Sequence, residues 1–139
     1  EIRPDGAWIH EGSPIGRPAM VRLFASVLKR EGDRFFLVTP VEKLGIRVVD
    51  APFLAIDAEI GPDRIAFTTN VGDEVVAGPE HPIRVEDRDG VPRPYVHVRR
   101  WLEALIDRKS FYRLVAAAVP DADGRLVLRS QGAVFALEG

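Results

Sequence analysis

Apolar and polar positions along the chain follow two different periods, which predicts a mixture of helices and strands. Residues 17–31 carry apolar side chains three or four positions apart, a spacing typical of an amphipathic helix. Pro18 suits the first turn of this helix and Gly32 suits its C-terminal end. The predicted apolar stripe is Met20, Leu23, Phe24, Val27 and Leu28.

Short apolar runs bounded by Gly, Pro and Asp predict strands over much of the remaining chain. These runs cover residues 7–10, 34–39, 44–49, 53–60, 64–69, 74–77, 83–86 and 95–98. Residues 101–106 and 111–119 have helical spacing, with Ser110 as the predicted N-cap of the second segment. The last strands are predicted as a hairpin around Gln131-Gly132.

Two segments of the chain match each other without gaps, residues 19–46 and residues 110–137. Upstream of each segment, an aromatic residue precedes histidine by two positions, in Trp8-Ile9-His10 and in Tyr95-Val96-His97. The number of residues between this pattern and the matched segment differs slightly between the two copies. The pattern predicts an α+β protein built from duplicated units of a helix and an antiparallel hairpin, although any helix followed by a hairpin gives some chance similarity. Matched pairs are Arg22 with Arg113, Leu23 with Leu114, Ala25 with Ala116, Arg34 with Arg125, Leu37 with Leu128 and Thr39 with Ser130.

The predicted division of the chain is an N-terminal α+β half, residues 1–54, and a strand-rich C-terminal half, residues 55–139. In the second half, several strands are followed by a helical segment and a closing hairpin. A duplication of this kind predicts two halves that pack about a pseudo-twofold axis. Seams between such units are common positions for ligand sites.

Composition narrows the function classes. The 139 residues carry a formal net charge of −2, which provides no general attraction for nucleic acid or acidic lipid. No apolar run approaches the ~20 residues of a membrane span. The chain has no cysteine, so disulfides, thiolate catalysis and cysteine–zinc sites are excluded. We expect a protein of the cytoplasm with neither nucleic acid nor membrane as a partner.

Catalytic motifs are missing from the sequence. It contains no phosphate-binding GxxxxGK[ST], no GxGxxG after a strand and no nucleophile elbow. The three histidines, His10, His81 and His97, have no close metal-ligand spacing, so no metal site is predicted. These absences argue against an enzyme without excluding one.

Seven short motifs occur in a specific order over nearly the whole chain. They are Asp5-Gly6-Ala7-Trp8, Gly12-Ser13-Pro14-Ile15, Thr39-Pro40-Val41-Glu42-Lys43, Asp50-Ala51-Pro52-Phe53, Thr69-Asn70-Val71-Gly72-Asp73, Pro94-Tyr95-Val96-His97-Val98 and Ser130-Gln131-Gly132-Ala133-Val134-Phe135. In this order they resemble a bacterial family catalogued as domain of unknown function 1285. The resemblance implies a duplicated α+β core, a C-terminal part like a pleckstrin-homology fold, a nucleotide-like ligand at the domain interface and a role in signalling. It carries no established activity.

Two polar bends are candidate ligand contacts. Thr39, Glu42 and Lys43 lie around Pro40; Glu42 could accept from a base or ribose hydroxyl, and Lys43 could meet a phosphate. The alternative is an ordinary salt-bridged turn, and the choice of Glu42 depends mainly on the family motif. Further along, the Asn70 amide could read a base or bond its own backbone.

Aromatic and basic residues supply the other candidates. Trp8, Tyr95 and Tyr112 could stack on a planar ligand or belong to the core. Arg108 could bind an anion, and it belongs to a basic cluster that could equally be a solvated helix face. The cluster is Arg99, Arg100, Arg108, Lys109 and Arg113.

The functional expectation is a regulatory or signalling module that binds a small anionic, nucleotide-like ligand between the two halves. A protein-interaction module without a small-molecule ligand is the first alternative. The second is a small hydrolase or isomerase using His81 or His10 with Glu42, which requires these groups within hydrogen-bond reach. Otherwise His81 is a loop histidine bonded to backbone.

Overall fold

Two helices and fourteen strands form residues 1–137, the part of the chain that this computed structural model describes. The predicted α+β class is confirmed, and the last two residues of the predicted C-terminal half lie outside the described range. In chain order the elements are β1 (Ile9–His10), β2 (Ser13–Pro14), α1 (Pro18–Ser26), β3 (Leu28–Glu31), β4 (Arg34–Val38), β5 (Lys43–Ile46), β6 (Phe53–Gly61), β7 (Arg64–Thr69), β8 (Glu74–Val76), β9 (Ile83–Arg88), β10 (Val91–Arg99), β11 (Leu102–Ile106), α2 (Arg108–Ala117), β12 (Val119–Pro120), β13 (Leu126–Ser130) and β14 (Ala133–Ala136).

A six-stranded sheet holds the centre of the C-terminal half, with the strand order β8-β7-β6-β11-β10-β9. Its neighbouring strands are antiparallel except β6 and β11, which run parallel and join two antiparallel groups of three. Side chains buried on this sheet include Phe53, Phe67 and Leu102. Each such buried side chain contributes about 1.5–3 kcal/mol relative to an exposed one.

Two smaller sheets each follow a helix. Strands β3, β4 and β5 form an antiparallel sheet after α1, and strands β12, β13 and β14 form another after α2. The predicted closing hairpin is confirmed, with Ser130 paired to Ala133 across Gln131-Gly132. The chain therefore contains the order helix, strand, strand, strand twice.

The helix predicted over residues 17–31 is too long, because α1 ends at Ser26. Leu28–Glu31 instead pairs with β4 in a hairpin that turns at Gly32, where φ is +61°. A glycine adopts this left-handed conformation without a Cβ clash. The predicted apolar stripe is also only partly buried, since Met20 and Leu23 are exposed.

The segment predicted as a helix over residues 101–106 is a strand, β11. Burial in β11 alternates, with Leu102, Ala104 and Ile106 buried and the residues between them half-buried, because strand side chains point to opposite faces. The N-cap of α2 is Asp107 rather than Ser110. Asp107 Oδ1 accepts a hydrogen bond from the Ser110 backbone N–H at 2.8 Å.

Two arginines and one asparagine connect the N-terminal segment to the large sheet. Arg99 Nη2 donates to the Ala25 carbonyl at 2.9 Å, and its Nη1 donates to Asp73 Oδ2 at 2.8 Å. Arg30 Nη1 donates to the Trp101 carbonyl at 3.0 Å. Asn70 accepts from the Leu54 N–H at 3.0 Å and donates to the Gly6 carbonyl at 3.2 Å.

The last small sheet is attached to the large sheet through a buried hydroxyl. Ser130 Oγ accepts from the Ile65 N–H at 2.9 Å, and Ser130 is fully buried. Next to it, the Gln131 N–H donates to the Asp63 carbonyl at 2.9 Å. A buried N–H without a partner costs about 1–3 kcal/mol, so this hydroxyl fixes the position of β13 against β7.

We predict that Ser130→Ala lowers the free energy of unfolding by about 1–3 kcal/mol, because it leaves the Ile65 N–H unsatisfied. Urea denaturation monitored by circular dichroism measures the change. Ser26→Ala is the matched control, since the exposed Ser26 hydroxyl donates only to the Leu23 carbonyl of its own helix. A loss no larger for Ser130→Ala than for Ser26→Ala would contradict the prediction.

Candidate functional site

A cavity of about 450 Å³ lies between the first half of β10 and the start of α2. We call it the β10–α2 cavity. Its walls are mostly apolar, and its ionisable side chains belong to Arg93, Asp107, Arg108 and Tyr112. The apolar lining residues are Leu54, Val91, Pro92, Pro94, Leu105, Ile106 and Phe111. This volume falls in the range of small-molecule sites, about 300–1,000 Å³.

Arg108 is the cation in this cavity that no carboxylate neutralises. Among residues 1–137, no carboxylate oxygen lies within 4.0 Å of its guanidinium, and its Nη1 donates to Tyr112 Oη at 3.4 Å. The two residues lie four positions apart and therefore on the same face of α2. Both side chains are exposed, so solvent and a ligand can reach them.

The other basic residues of α2 attach the helix to β6. Lys109 Nζ donates to the Ile56 carbonyl at 2.8 Å, and Arg113 pairs with Asp57 and donates to the Ala58 carbonyl. The hydrogen bond from Arg113 is the main cause of a lowered pKa for the Asp57 carboxyl. Within the predicted basic cluster, Arg99, Lys109 and Arg113 thus make structural contacts, whereas Arg108 faces the cavity.

Behind the cavity, Arg93 joins a cluster with Asp50 and Tyr95. Arg93 Nη2 donates to Asp50 Oδ2, its Nε donates to Tyr95 Oη at 3.3 Å, and the Tyr95 hydroxyl donates to Asp50 Oδ1 at 2.6 Å. The contacts with Tyr95 and Asp50 raise the pKa of Arg93. Burial, and then the hydrogen bond to Asp50, raises the pKa of the Tyr95 phenol.

A second cavity, of about 280 Å³, lies on the seam between the N-terminal segment and the large sheet. Most of its charged side chains pair with one another. Arg84 makes a two-pronged contact with Glu103, with both N···O distances 2.7 Å, and it also contacts Glu86. Hydrogen bonding to Arg84 lowers the pKa of the Glu86 carboxyl, and Arg88 adds to this effect. These pairs leave little free charge for a ligand.

Among the predicted ligand contacts, only Arg108 and Tyr112 are brought together in the β10–α2 cavity. Tyr95 is buried and lines the seam cavity. Trp8 is a core residue that stacks on Phe24 with a centroid distance of 6.3 Å. Asn70 has a structural role, since its amide connects the turn at Gly6 to the start of β6.

The predicted contacts on the β4–β5 bend lie on an exposed turn. Thr39 and Glu42 bond each other through their backbones, and Lys43 Nζ pairs with Glu31 Oε2 at 2.6 Å. Lys43 also lies 4.5 Å from the centre of the Phe36 ring. This geometry is that of a salt-bridged turn, and these three residues line neither of the cavities described above.

The histidines bond to backbone groups. His81 Nδ1 contacts the His97 carbonyl at 3.0 Å, and His97 Nδ1 contacts the Glu80 carbonyl at 3.0 Å. His10 lies 3.9 Å from Glu11 on the surface. Within residues 1–137 neither His81 nor His10 contacts Glu42, so the histidine–Glu42 arrangement of the hydrolase alternative is not formed.

Sequence reasoning missed Arg93, Asp107 and the apolar wall formed by Val91 and the two prolines of β10. The sequence predicts a strand only over residues 95–98, whereas β10 begins at Val91 and includes Pro92, Arg93 and Pro94. No local signal marks Arg93, because its carboxylate partner is distant in the chain. That partner, Asp50, lies 43 positions earlier in the sequence.

Two further findings concern metal and membrane sites. Over residues 1–137, no group of three or more His, Cys, Asp or Glu side chains is arranged to hold a metal ion. Neither described helix is long and apolar enough to span a bilayer.

The geometry describes a mixed α/β protein, rich in strands, with a candidate small-molecule cavity beside the seam of its two segments. The chain belongs to the DUF1285 family. Residues 1–51 match the family description "Domain of unknown function (DUF1285), N-terminal domain", and residues 52–137 match "Protein of unknown function (DUF1285), C-terminal domain". The resemblance inferred from the sequence motifs is therefore confirmed.

Two solved structures are similar to this chain. A DUF1285 family protein from Silicibacter pomeroyi DSS-3 is 57% identical with a TM-score of 0.91, over 97% of this chain and 76% of that chain. A DUF1285 family protein from Shewanella baltica OS155 is 28% identical with a TM-score of 0.66, over 83% of this chain and 88% of that chain. No curated protein matches the chain.

We predict that the free energy of unfolding falls as the pH rises above about 10, and that Tyr95→Phe reduces this fall. The folded state raises the pKa of Tyr95 above its ordinary value of 10.0, so the phenol stays protonated when the unfolded chain ionises. The stabilisation that the Tyr95 phenol contributes is therefore present below pH 10, and it is lost as the pH rises through the pKa of Tyr95 in the folded protein. Urea denaturation between pH 8 and pH 11 measures the free energy of unfolding of the wild type and of Tyr95→Phe. An equal fall in the two proteins would contradict the role given to the Tyr95 phenol.

Proposed function

We propose that this protein is a regulatory module that binds a small ligand with an anionic group and a planar apolar part in the β10–α2 cavity. One observation carries the proposal: a cavity of about 450 Å³ with apolar walls contains the unpaired guanidinium of Arg108 beside the exposed ring of Tyr112. A nucleotide has both required parts, and so does an aromatic carboxylate.

The chemistry of the cavity supports binding of an anion. An arginine guanidinium donates hydrogen bonds in a planar fork that suits phosphate and carboxylate groups. Arg108 donates only to a neutral hydroxyl among residues 1–137, so its charge is available. Tyr112 and the proline-bearing wall of β10 offer flat apolar surfaces for a ring.

The position of the proposed site differs from the sequence-based expectation of a site between the two halves. The seam cavity has three arginines. Arg84 and Arg88 are already paired with carboxylates, and Arg30 donates to the backbone carbonyls of Gly32 and Trp101. An anion there would have to displace these pairs. The β10–α2 cavity lies next to the seam through the Asp50–Arg93 contact, so the two positions are neighbours.

We also propose that the two units of helix and three strands are diverged copies, and that the large sheet followed by α2 is a variant of a pleckstrin-homology-like shell with a role in signalling. The equal order of elements in the two units supports the first proposal. The succession of antiparallel strands and then a helix supports the second, which depends on analogy of fold and gives no ligand by itself.

A protein-interaction surface is the second candidate function, and Trp101 favours it. This tryptophan is 75% exposed and lines a mostly apolar surface depression together with Pro79 and Pro82. Both Arg100 and Trp101 have positive φ values, 46° and 68°. The backbone of the turn that carries the indole is therefore in a sparsely populated conformation.

We predict that at least one member of a panel of mononucleotides and aromatic carboxylates raises the melting temperature of the wild-type protein, and that Arg108→Ala weakens its binding by about tenfold or more. Loss of a hydrogen bond to a charged group, about 1.5–3 kcal/mol, gives that factor. Thermal shift finds the ligand, and isothermal titration calorimetry measures the affinity.

Arg125→Ala is the matched control, since Arg125 is also an exposed arginine and lies outside the cavity. Equal losses in Arg108→Ala and Arg125→Ala would indicate nonspecific charge binding. No shift with any member of the panel would count against a small-molecule function and favour the interaction surface at Trp101.

A further inference from the structure

Arg93 contacts two different parts of the molecule. Its side chain lines the β10–α2 cavity, and its Nη2 donates to Asp50 Oδ2 on the other side. Among residues 1–137, its Nη1 has no hydrogen-bond partner, so one arm of the guanidinium is available to a molecule in the cavity. The same arginine therefore faces both the candidate ligand and Asp50.

Asp50 belongs to the connection between β5 and β6, residues 47–52, which leads from the N-terminal segment into the large sheet. Its side chain is only 7% exposed, and Asp50 lines the seam cavity. Besides Arg93, it accepts from the Tyr95 hydroxyl at 2.6 Å and lies 3.7 Å from Arg88 Nη1. Asp50 thus ties the connection to strand β10 at the wall of the candidate site.

We propose that Asp50 is a built-in competitor of the anionic ligand for Arg93, and that it couples occupancy of the β10–α2 cavity to the contact between the two segments. This inference rests on the proposed function. An anion that shares Arg93 with Asp50 binds a guanidinium whose charge is already partly neutralised. The ligand therefore binds less tightly than it would to Arg93 alone, and its binding weakens the hold of Arg93 on Asp50.

Asp50 weakens ligand binding by the same free energy by which the bound ligand weakens the Arg93–Asp50 contact, because coupling between two binding interactions is reciprocal. Asp50 keeps two partners when Arg93 turns towards a ligand, the Tyr95 hydroxyl and Arg88. The carboxylate is therefore not left buried and unpaired, which would otherwise cost several kcal/mol. The connection at residues 47–52 can loosen without loss of the fold.

The test is the affinity of AMP, indole-3-carboxylate and inorganic phosphate for the wild type and for Asp50→Asn, measured by isothermal titration calorimetry. Asparagine keeps the size of the side chain and removes the competing charge. We expect Asp50→Asn to bind the best of these probes about fivefold more tightly or better, the lower end of typical coupling between sites. Asp33→Asn is the control, since Asp33 lines the seam cavity and lacks a contact with Arg93.

A second measurement needs no variant that could fail to fold. Hydrogen exchange of wild-type peptides covering residues 47–52 should become faster when the probe is bound, because the bound anion competes for Arg93. Exchange that stays the same or slows would overturn the proposal, as would unchanged affinity in Asp50→Asn or an equal gain in Asp33→Asn. If the wild type still binds a probe in these cases, the coupling is overturned and the proposed function is not. Absence of binding by any probe in both proteins overturns the coupling together with the proposed function.

Discussion

The parallel pairing of β6 with β11 is the constraint on which the rest of the C-terminal structure depends. Its register sets Ala104 opposite Phe53 and Ile106 opposite Ala55, so the end of β11 lies beside the start of β6. The Asp107 N–H continues this pairing by donating to the Ala55 carbonyl at 3.0 Å. The start of α2 is therefore fixed next to the point where the connection from the N-terminal segment enters the sheet.

That position builds the candidate site. Helix α2 begins one residue after Asp107, so Arg108 and Tyr112 are carried to the edge where β10 runs alongside β11. On the other side, Asp50 reaches β10 because the connection that contains it ends at β6. The β10–α2 cavity and the contact between segments are thus consequences of one strand pairing, and this explains why they share Arg93.

Local patterns in the sequence predict the elements whose partners are close in the chain. The strands predicted over residues 53–60 and 64–69 form a hairpin in the structure, and the predicted hairpin around Gln131-Gly132 is confirmed, because turn residues and alternating burial both act at short range. Leu102–Ile106 fails this test. Its residues have good helix propensity, and the strand state depends on β10 on one side and on β6, about fifty residues earlier, on the other.

In the candidate site, too, the contacts between residues close in the chain are the ones that the sequence can predict. Arg108 and Tyr112 could be grouped from the sequence because they lie one helical turn apart. Arg93 and Asp50 could not, since their contact depends on a sheet that joins distant strands. Glu42 and Lys43 belong to a motif that the chain uses for a turn, where Lys43 pairs with Glu31 across the small sheet. Motif order thus indicates the family better than it indicates which side chains face a ligand.

The placement of the two tryptophans gives the protein an intrinsic pair of optical reporters. Trp8 is buried against Phe24 in the N-terminal segment, whereas Trp101 is exposed to solvent at the turn between β10 and β11. Indole emission depends on the polarity around the ring, so the two residues fluoresce from contrasting surroundings without any label. The sequence contains only these two tryptophans, so the emission of the natural protein is the sum of one buried and one exposed indole.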